Sequence, residues 1–432
     1  MYTRLFRESC ILFFGMVVMN ISLLWNMIKV HSGIPATFRM MKLKAKKKKH
    51  DKLRIVFICQ LGSVFSCVQS IFEAAVDDET VEPYILALPE KWNKDDFDKN
   101  AYNYMTECGY STIDGFNEKT GEFYDLKKLE PDYVFIPRPY DIYLPDDFKS
   151  KALSKYTKVC YVCYGYTSEG DYMLKTCFSK YFVSNCYMVF AENESVRQYT
   201  VRQMPIAARL GLHKVIKTPF PRFDLLKKYE GVESPSWLHN REETNKRIIW
   251  TPRWTLDEKL GGTNFFNFKD FFFDFADRNK QCDFLFRPHP LAFSNFVKVG
   301  AMTPEDVAEY KKHCEQSDNI QLDERSEYLD SFASADILVS DMSGVVVDFA
   351  VTGKPVIFCS YKEVFNDSNK KLMEAYYVVE NVTELQDTLE MLCQGEDPKK
   401  EMRLQIVKEI LGDCKGGNGN KILDAIKKDY FG

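Results

Sequence analysis

The stretch "ADILVSDMSGVVVDFAVTGKPVIF", residues 335–358, carries a strand, a loop, a helix and a second strand in quick succession. "ADILVS" is an apolar run closed by a polar loop, as in a strand buried on both faces of a parallel sheet. "DMSG" (341–344) is the loop, "VVVDFAVT" (345–352) is a helix ended by Gly353, and Lys354-Pro355 leads into the strand "VIF". Two strands joined by a crossover helix are the unit of α/β folds with parallel sheets. Ligands of such sheets gather beyond the carboxyl ends of the strands. The helix opens at Ser343 or Gly344, where unpaired N–H groups and a partial positive charge suit phosphate. Gly344 lets an anion approach the backbone, Ser343 adds a hydroxyl donor, and Asp348 can accept from ribose hydroxyls. Asp341 and Ser343 are also residue types that cap a helix with no ligand at all.

Upstream, "FLFRPHP" (284–290) is an apolar strand that stops on Arg287 and His289, each next to proline. The prolines restrict the backbone and so limit how far the two side chains wander. An arginine there can grip phosphate with two parallel hydrogen bonds, and a histidine can exchange a proton near neutral pH. "WTPRW" (250–254) is a third strand end, placing Thr251 and Arg253 toward the same cleft or toward solvent.

The strand–helix alternation occurs twice. "KLRIVFICQLG" (52–62), "VEPYILALP" (81–89), "PDYVFIPRPYD" (131–141), "KVCYVCYGY" (158–166) and the apolar part of "KYFVSNCYMVFAENES" (180–195) are strands of a first half. Helices are expected from Ser66 to Asp77 and from a cap near Asn193 or Ser195. Strands at 247–255, 282–290, 319–323, 335–341 and 354–360 form a second half. The polar run "NREETNKR" (240–247) lies between them. The fold class is therefore α/β, with two Rossmann-like domains facing each other across a cleft, 52–239 and 240–432. The amphipathic "NKILDAIKKDYFG" (420–432) can cross back to the first domain.

The chain has 432 residues, enough for two cores, and its net charge of −4 implies no nucleic-acid partner. Thirteen cysteines scattered in apolar runs fit buried free thiols in a reducing compartment. The lone CxxC of Cys160 and Cys163 has no second pair at zinc spacing, so neither a metal nor a cofactor is expected. Residues 1–51 differ from the rest. "CILFFGMVVMNISLLWNMI" (10–28) has nineteen residues and no charge, and the lysine run "KLKAKKKKH" (42–50) follows it. A hydrophobic helix of this length is near the ~20 residues that span a bilayer, and equally can lie in an anionic membrane surface. The lysines would keep the rest of the chain on the cytoplasmic face of the cell membrane.

These stretches resemble the CDP-glycerol glycerophosphotransferase family, which makes teichoic acids and related capsules. "WTPRW", "RPHP" and "SDMSGVVVDFAVTGKPVIF" carry the resemblance, and "TPFPRFDLL" (218–226, with Arg222), "RPYD" (138–141) and "YVCYGY" (161–166) extend it. The resemblance implies the GT-B architecture, with an acceptor site in the first domain and the nucleotide site in the second. It implies transfer of glycerol phosphate, or a related polyol phosphate, from a CDP-activated donor to a lipid-linked glycan or cell-surface polymer, with release of CMP. It assigns His289 and Arg287 to the pyrophosphate, and Arg222, Arg253, Asp341, Ser343, Gly344 and Asp348 to substrate binding.

One position departs from the family. Where the polymerases carry a histidine-glycine whose histidine is the base, this chain has Tyr164-Gly165. Tyrosine, with a pKa of about 10, is a poor base at neutral pH. Asp141 is the alternative proton acceptor, and phosphoryl transfer through a loose transition state can also proceed with little base assistance. Two other readings stay open: a GT-B glycosyltransferase or sugar-nucleotide epimerase, and a membrane-associated nucleotide-binding protein without turnover.

Overall fold

The computed structural model describes residues 33–432 apart from 47–49, 91, 94–95, 98–99, 168–170, 238–244, 259–261, 326, 360–369 and 413–415. Leu53–Cys59 (β1) is buried along its whole length except at Arg54, as expected for a central strand of a parallel sheet covered on both faces. Val81–Ala87 (β2), Thr112–Asp114 (β3), Tyr133–Phe135 (β4), Lys158–Val162 (β5), Met188–Ala191 (β6) and Lys214–Lys217 (β7) join it. Their spatial order is β7-β6-β5-β4-β1-β2-β3, and every pairing is parallel.

The second half repeats the plan. Lys246–Thr251 (β8), Cys282–Phe286 (β9), Ile320–Leu322 (β10), Ile337–Ser340 (β11), Val356–Cys359 (β12) and Tyr377–Val379 (β13) lie in the order β10-β9-β8-β11-β12-β13. All five pairings are parallel. In each sheet the chain winds outward from the first strand and then returns to its other side. The winding reverses between β1 and β4, and between β8 and β11. Crossover loops part at such a point and leave a crevice beyond the strand ends. In the second half that crevice opens beyond Thr251 and Ser340, whose hydroxyls are hydrogen-bonded at 2.7 Å. Aromatic packing stiffens this sheet from behind: Trp250 stacks on Phe272 at 4.2 Å and on Phe265 at 5.7 Å, both from the helix Phe265–Arg278.

The helix Asn418–Phe431 leaves the second half and packs against the helix Gln69–Val76 of the first. Its start is fixed by Asp224, whose carboxylate accepts the N–H groups of Asn418 and Gly419 at 3.1 and 2.8 Å. Gly419 is required there, because a Cβ would stand 2.3 Å from the Ser70 carbonyl oxygen. Further along, Asp429 accepts from Lys158 (2.7 Å), Tyr133 (2.5 Å) and Tyr187 (3.1 Å), and pairs with Lys214 at 2.5 Å.

Several expectations change. The helix expected from Ser66 to Asp77 is two pieces, Gly62–Phe65 and Gln69–Val76. The edge strands β3, β7 and β13 were not anticipated. The apolar segment 10–28 and most of the polar run 240–247 lie outside the described residues. Of residues 1–51, expected to be a hydrophobic helix and a basic linker, the described part holds the helix Ile34–Lys44, and no helix among the described residues is long and apolar enough to cross a membrane.

Asp429 generates a prediction. Burial pushes its carboxyl up, but hydrogen bonds from Lys158, Lys214 and Tyr133 outweigh that and hold it at about 2. Asp429→Ala leaves two ammonium groups and two hydroxyls without their acceptor and should lower the unfolding free energy at neutral pH by about 3 kcal/mol. The folded value lies below the unfolded one of about 3.9. The contribution is therefore complete above about pH 4 and fades as the pH falls toward about 2. Urea denaturation of both proteins at neutral and acid pH measures it; an equal loss at every pH would show that the carboxylate charge is not what matters.

Candidate active site

The crevice beyond β8 and β11 faces the first half and forms a cleft of about 670 Å³. Ser63, Tyr140, Tyr164 and Tyr166 line it from the first half, and Arg253, Trp254, Arg287, His289, Arg325 and Ser343 from the second. None of its described lining residues is an aspartate or glutamate, whereas three are arginines. Such a cleft selects for an anion.

The acids that support these arginines lie behind the wall. Asp341 is buried and accepts from the backbone N–H of Arg253 (2.9 Å), the Thr263 hydroxyl (2.9 Å), and the backbone and side-chain N–H groups of Asn264 (both 3.1 Å). Burial lifts its carboxyl above the ordinary range in spite of these donors. The Arg253 guanidinium donates to the Met342 carbonyl. Asp341 is therefore a tie between three loops, not the substrate ligand expected from sequence. Arg287 is likewise more constrained than its motif suggests: it donates to Asp323 at 2.6 Å and to the Arg325 carbonyl at 2.5 Å. Asp323 also pairs with Arg325 at 3.2 Å, and Arg325 reaches Asp330 at 3.0 Å. Burial would raise the Asp323 carboxyl, but the Arg287 charge and hydrogen bonds from Ser236 and Arg325 bring it below its usual value.

His289 is open to the cleft, yet enough protein surrounds the ring that burial, aided by the Arg253 charge, pushes its pKa down to about 4. The backbone N–H of Leu291 donates to Nδ1 at 3.1 Å. At neutral pH the imidazole is thus uncharged, with its proton on Nε2. It is a fixed hydrogen-bond donor, not the general acid that a pKa near 7 would allow. Ser343 and Gly344 also line the cleft. The helix behind them, Val345–Ala350, is only six residues long, so most of the attraction for an anion comes from the arginines. Gly344 has an ordinary helical φ of −59°, and a Cβ added there meets nothing within 4 Å. Its lack of a side chain leaves the cleft open.

Four expected site residues act otherwise. Arg222 and Asp348 are buried and ion-paired at 3.2 Å. Arg222 also donates to the Tyr328 hydroxyl at 3.0 Å and to the Tyr164 carbonyl, and Tyr328 donates to Asp348 at 2.5 Å. Burial alone would lower Arg222, but Tyr328 and Asp348 hold the guanidinium above its ordinary value. Neither residue is available to a substrate. Tyr164 lies in the cleft wall with its hydroxyl 3.0 Å from that of Tyr140; burial and the neighbouring Cys177 raise its pKa, so it is no base. Asp141 is buried, accepts from the Ser150 N–H (2.8 Å) and hydroxyl (2.7 Å), and is not part of the cleft lining. Its carboxylate organises a loop and is not a proton acceptor there. Conversely, Arg325 was missed. Its signal was the one that marked Arg253 and Arg287, an arginine just past a strand end, here the strand expected at 319–323.

Two Rossmann-like halves with a cleft between them define a GT-B fold, and the three arginines of the cleft suit an anionic ligand. The sequence model of the family described as CDP-glycerol:poly(glycerophosphate) glycerophosphotransferase matches residues 179–428, more than half of the chain, and the chain belongs to that family. It is 24% identical over 220 residues to the minor teichoic acid biosynthesis protein GgaB of Bacillus subtilis (strain 168), covering 48% of this chain and 23% of that protein. The chain thus corresponds to about a quarter of the relative it matches. Its fold is similar to the wall teichoic acid polymerase TagF (TM-score 0.53, 16% identity, 92% of this chain and 98% of that one). It is also similar to a UDP-GlcNAc 2-epimerase from Neisseria meningitidis (TM-score 0.57, 13% identity, 87% and 100%).

Two outcomes are expected. The His289 ring should titrate near pH 4, well below the ordinary value of about 6.5, when followed by NMR. Because the folded value is depressed, the unfolded chain takes the proton first, and His289 withdraws stability as pH falls through that window. Gly344→Val should leave the melting temperature nearly unchanged, since a Cβ there meets no described protein atom within 4 Å, yet weaken nucleotide binding in calorimetry; unchanged affinity would place the ligand elsewhere.

Proposed function

We propose that this chain transfers glycerol phosphate, or a related polyol phosphate, from a CDP-activated donor to a hydroxyl of a cell-surface polymer or lipid-linked glycan, releasing CMP. The observation that carries the reading is a cleft whose described lining holds no carboxylate, with Arg253, Arg287 and Arg325 on one wall and a neutral, Nε2-protonated His289 beside them. A pyrophosphate needs cations and hydrogen-bond donors and is repelled by carboxylates. Family membership supports the donor and the reaction class.

In this mechanism the acceptor hydroxyl oxygen attacks the phosphorus that bears the polyol. The bond from that phosphorus to the oxygen bridging to CMP breaks, and CMP departs with the bonding pair. Arg253 and Arg325 offset the charge on the phosphates, and the His289 Nε2–H donates to a phosphate oxygen as negative charge moves onto the leaving group. The acceptor proton passes to a phosphate oxygen or to water, which suits a cleft whose first-half wall presents Tyr140 and Tyr164 instead of a base. The apolar segment 10–28 and the lysines after it support attachment to the cytoplasmic face of the cell membrane, next to a lipid-linked acceptor.

His289→Ala removes one donor to the developing charge and should reduce CMP release from CDP-glycerol by about 10²–10³-fold. Its melting temperature should stay near that of the parent, because the ring faces the cleft. Arg253→Ala should be at least as damaging. CMP release is measured with membrane extract as acceptor source, using CDP-glycerol and CDP-ribitol in parallel. A stable His289→Ala protein with normal turnover would sink the assignment. Thermal shifts with UDP or GDP exceeding those with CDP or CMP would favour a sugar-nucleotide enzyme, and binding without CMP release would mark a protein that holds nucleotide without turnover.

A further inference from the structure

Eleven of the thirteen cysteines are among the described residues, and all eleven are free. Most lie in the two cores, where a thiol behaves as a small apolar side chain. Cys108 is exposed and Cys393 is partly exposed. Cys393 ends the helix Val382–Cys393, whose Leu385, Leu389 and Leu392 are buried in the second half. That packing brings its sulfur to 3.5 Å from the sulfur of Cys282, the first residue of β9 and 111 positions away in sequence. The two sulfurs are in contact, and a disulfide bond of about 2.05 Å requires them to approach by only about 1.5 Å more. The surroundings favour a thiolate on Cys393. The hydrogen bond from Cys282 holds its pKa below the ordinary thiol value, and the Lys246 ammonium acts in the same direction, against burial and the carboxylates of Asp336 and Glu390. The same contact with Cys393, together with burial and Asp283, raises Cys282 in spite of Lys246. Cys393 is therefore the sulfur that a solute meets first, and Cys282 stands buried behind it, in place to resolve the product. The other cysteines differ in one respect or the other. Cys163 and Cys177 share a hydrogen bond but are both buried. Cys108 is open to solvent but sits beside the Tyr104 hydroxyl.

We propose that Cys393 and Cys282 are a thiol modification site that reacts with small disulfides and closes reversibly into an intramolecular disulfide. The Cys393 sulfur attacks one sulfur of the reagent, the reagent's S–S bond breaks, and one reagent thiol leaves. The Cys282 sulfur then attacks the Cys393 sulfur and displaces the second reagent thiol. The two protein thiols give up two electrons and two protons, and the reagent disulfide takes them up as two thiols. Closure ties the end of the helix Val382–Cys393 to the start of β9. The other end of β9 runs into Arg287 and His289. The bond thus forms at the edge of the sheet away from the cleft, and it leaves the proposed nucleotide site open.

The test uses the full-length folded protein with oxidised glutathione as the probe. After incubation the remaining thiols are alkylated, and the peptides are mapped by mass spectrometry without reduction. The expected result is the loss of the free thiols at Cys282 and Cys393 together, recovered as one linked peptide pair and reversed by excess dithiothreitol. Cys108, exposed to the same reagent, should carry glutathione as a mixed disulfide and shows that the reagent is active. In Cys282→Ala the resolving sulfur is gone, so Cys393 should accumulate as a mixed disulfide with glutathione. In Cys393→Ala, Cys282 should stay reduced. The map of the parent protein decides the matter even where a variant folds poorly. A free thiol on Cys393 after Cys108 has reacted would overturn the proposal. So would glutathione retained on Cys393 in the parent protein, or a bond from Cys282 to any other cysteine.

Discussion

The ion pair between Arg222 and Asp348 governs the geometry on which everything else rests. Both side chains are removed from water, which is costly unless hydrogen bonds compensate. Here they do so in part: the guanidinium serves Asp348, the Tyr328 hydroxyl and the Tyr164 carbonyl, and Tyr328 in turn donates to Asp348, while Arg222 Nε and Asp348 Oδ1 are buried without a hydrogen-bond partner among the described residues. Arg222 and Tyr164 come from the first half, Asp348 and Tyr328 from the second. Asp348 lies on the helix that begins beside Gly344, and Tyr164 is part of the opposite cleft wall. The pair therefore sets the separation between the loop 341–344 and the tyrosine-lined wall. Replacing either charge alone would strand the other in the interior.

The same principle organises the cleft. The arginines facing the opening are held by acids that do not line it, through the side chain for Arg287 and Arg325 and through the backbone for Arg253, whose guanidinium donates to the Met342 carbonyl. Asp341 holds the Arg253 backbone, Asp323 holds Arg287 and Arg325, and Asp330 takes the remaining side of Arg325. The guanidinium groups are thus aimed before any ligand arrives, which spares the ordering cost that flexible arginines would incur. The arrangement also explains the depressed histidine. A ring next to Arg253 in a partly dry cleft gains nothing from a positive charge.

The fold was largely legible because the central strands of parallel sheets read as continuous apolar runs. "RIVFIC", "CDFLF" and "ILVS" could hardly be anything else. The edge strands β3, β7 and β13 were not legible, since one side of each meets solvent and the sequence there is mixed. The cleft residues Arg253, Arg287, His289, Ser343 and Gly344 could be found because each closely follows a strand end, and strand ends are where a Rossmann-like sheet binds. The charged residues that turned out to be internal ties could not be told apart from ligands. Asp348 looks like a ribose acceptor until Arg222, 126 positions away, is seen to occupy it. Asp141 looks like a base until Ser150 is seen to consume both its oxygens. A sequence displays a charge but not its partner.

The helix Asn418–Phe431 has a consequence for how the protein is made. Its Asp429 anchors β4, β5 and β6 through Tyr133, Lys158 and Tyr187, contacts that span 242 to 296 positions along the chain. During synthesis the residues of the first sheet leave the ribosome long before that carboxylate exists. Until it arrives, the two lysines that flank it repel each other in a half-dry pocket. The half translated earlier is therefore completed by a residue translated later, and its sheet lacks this carboxylate while the second half is being made.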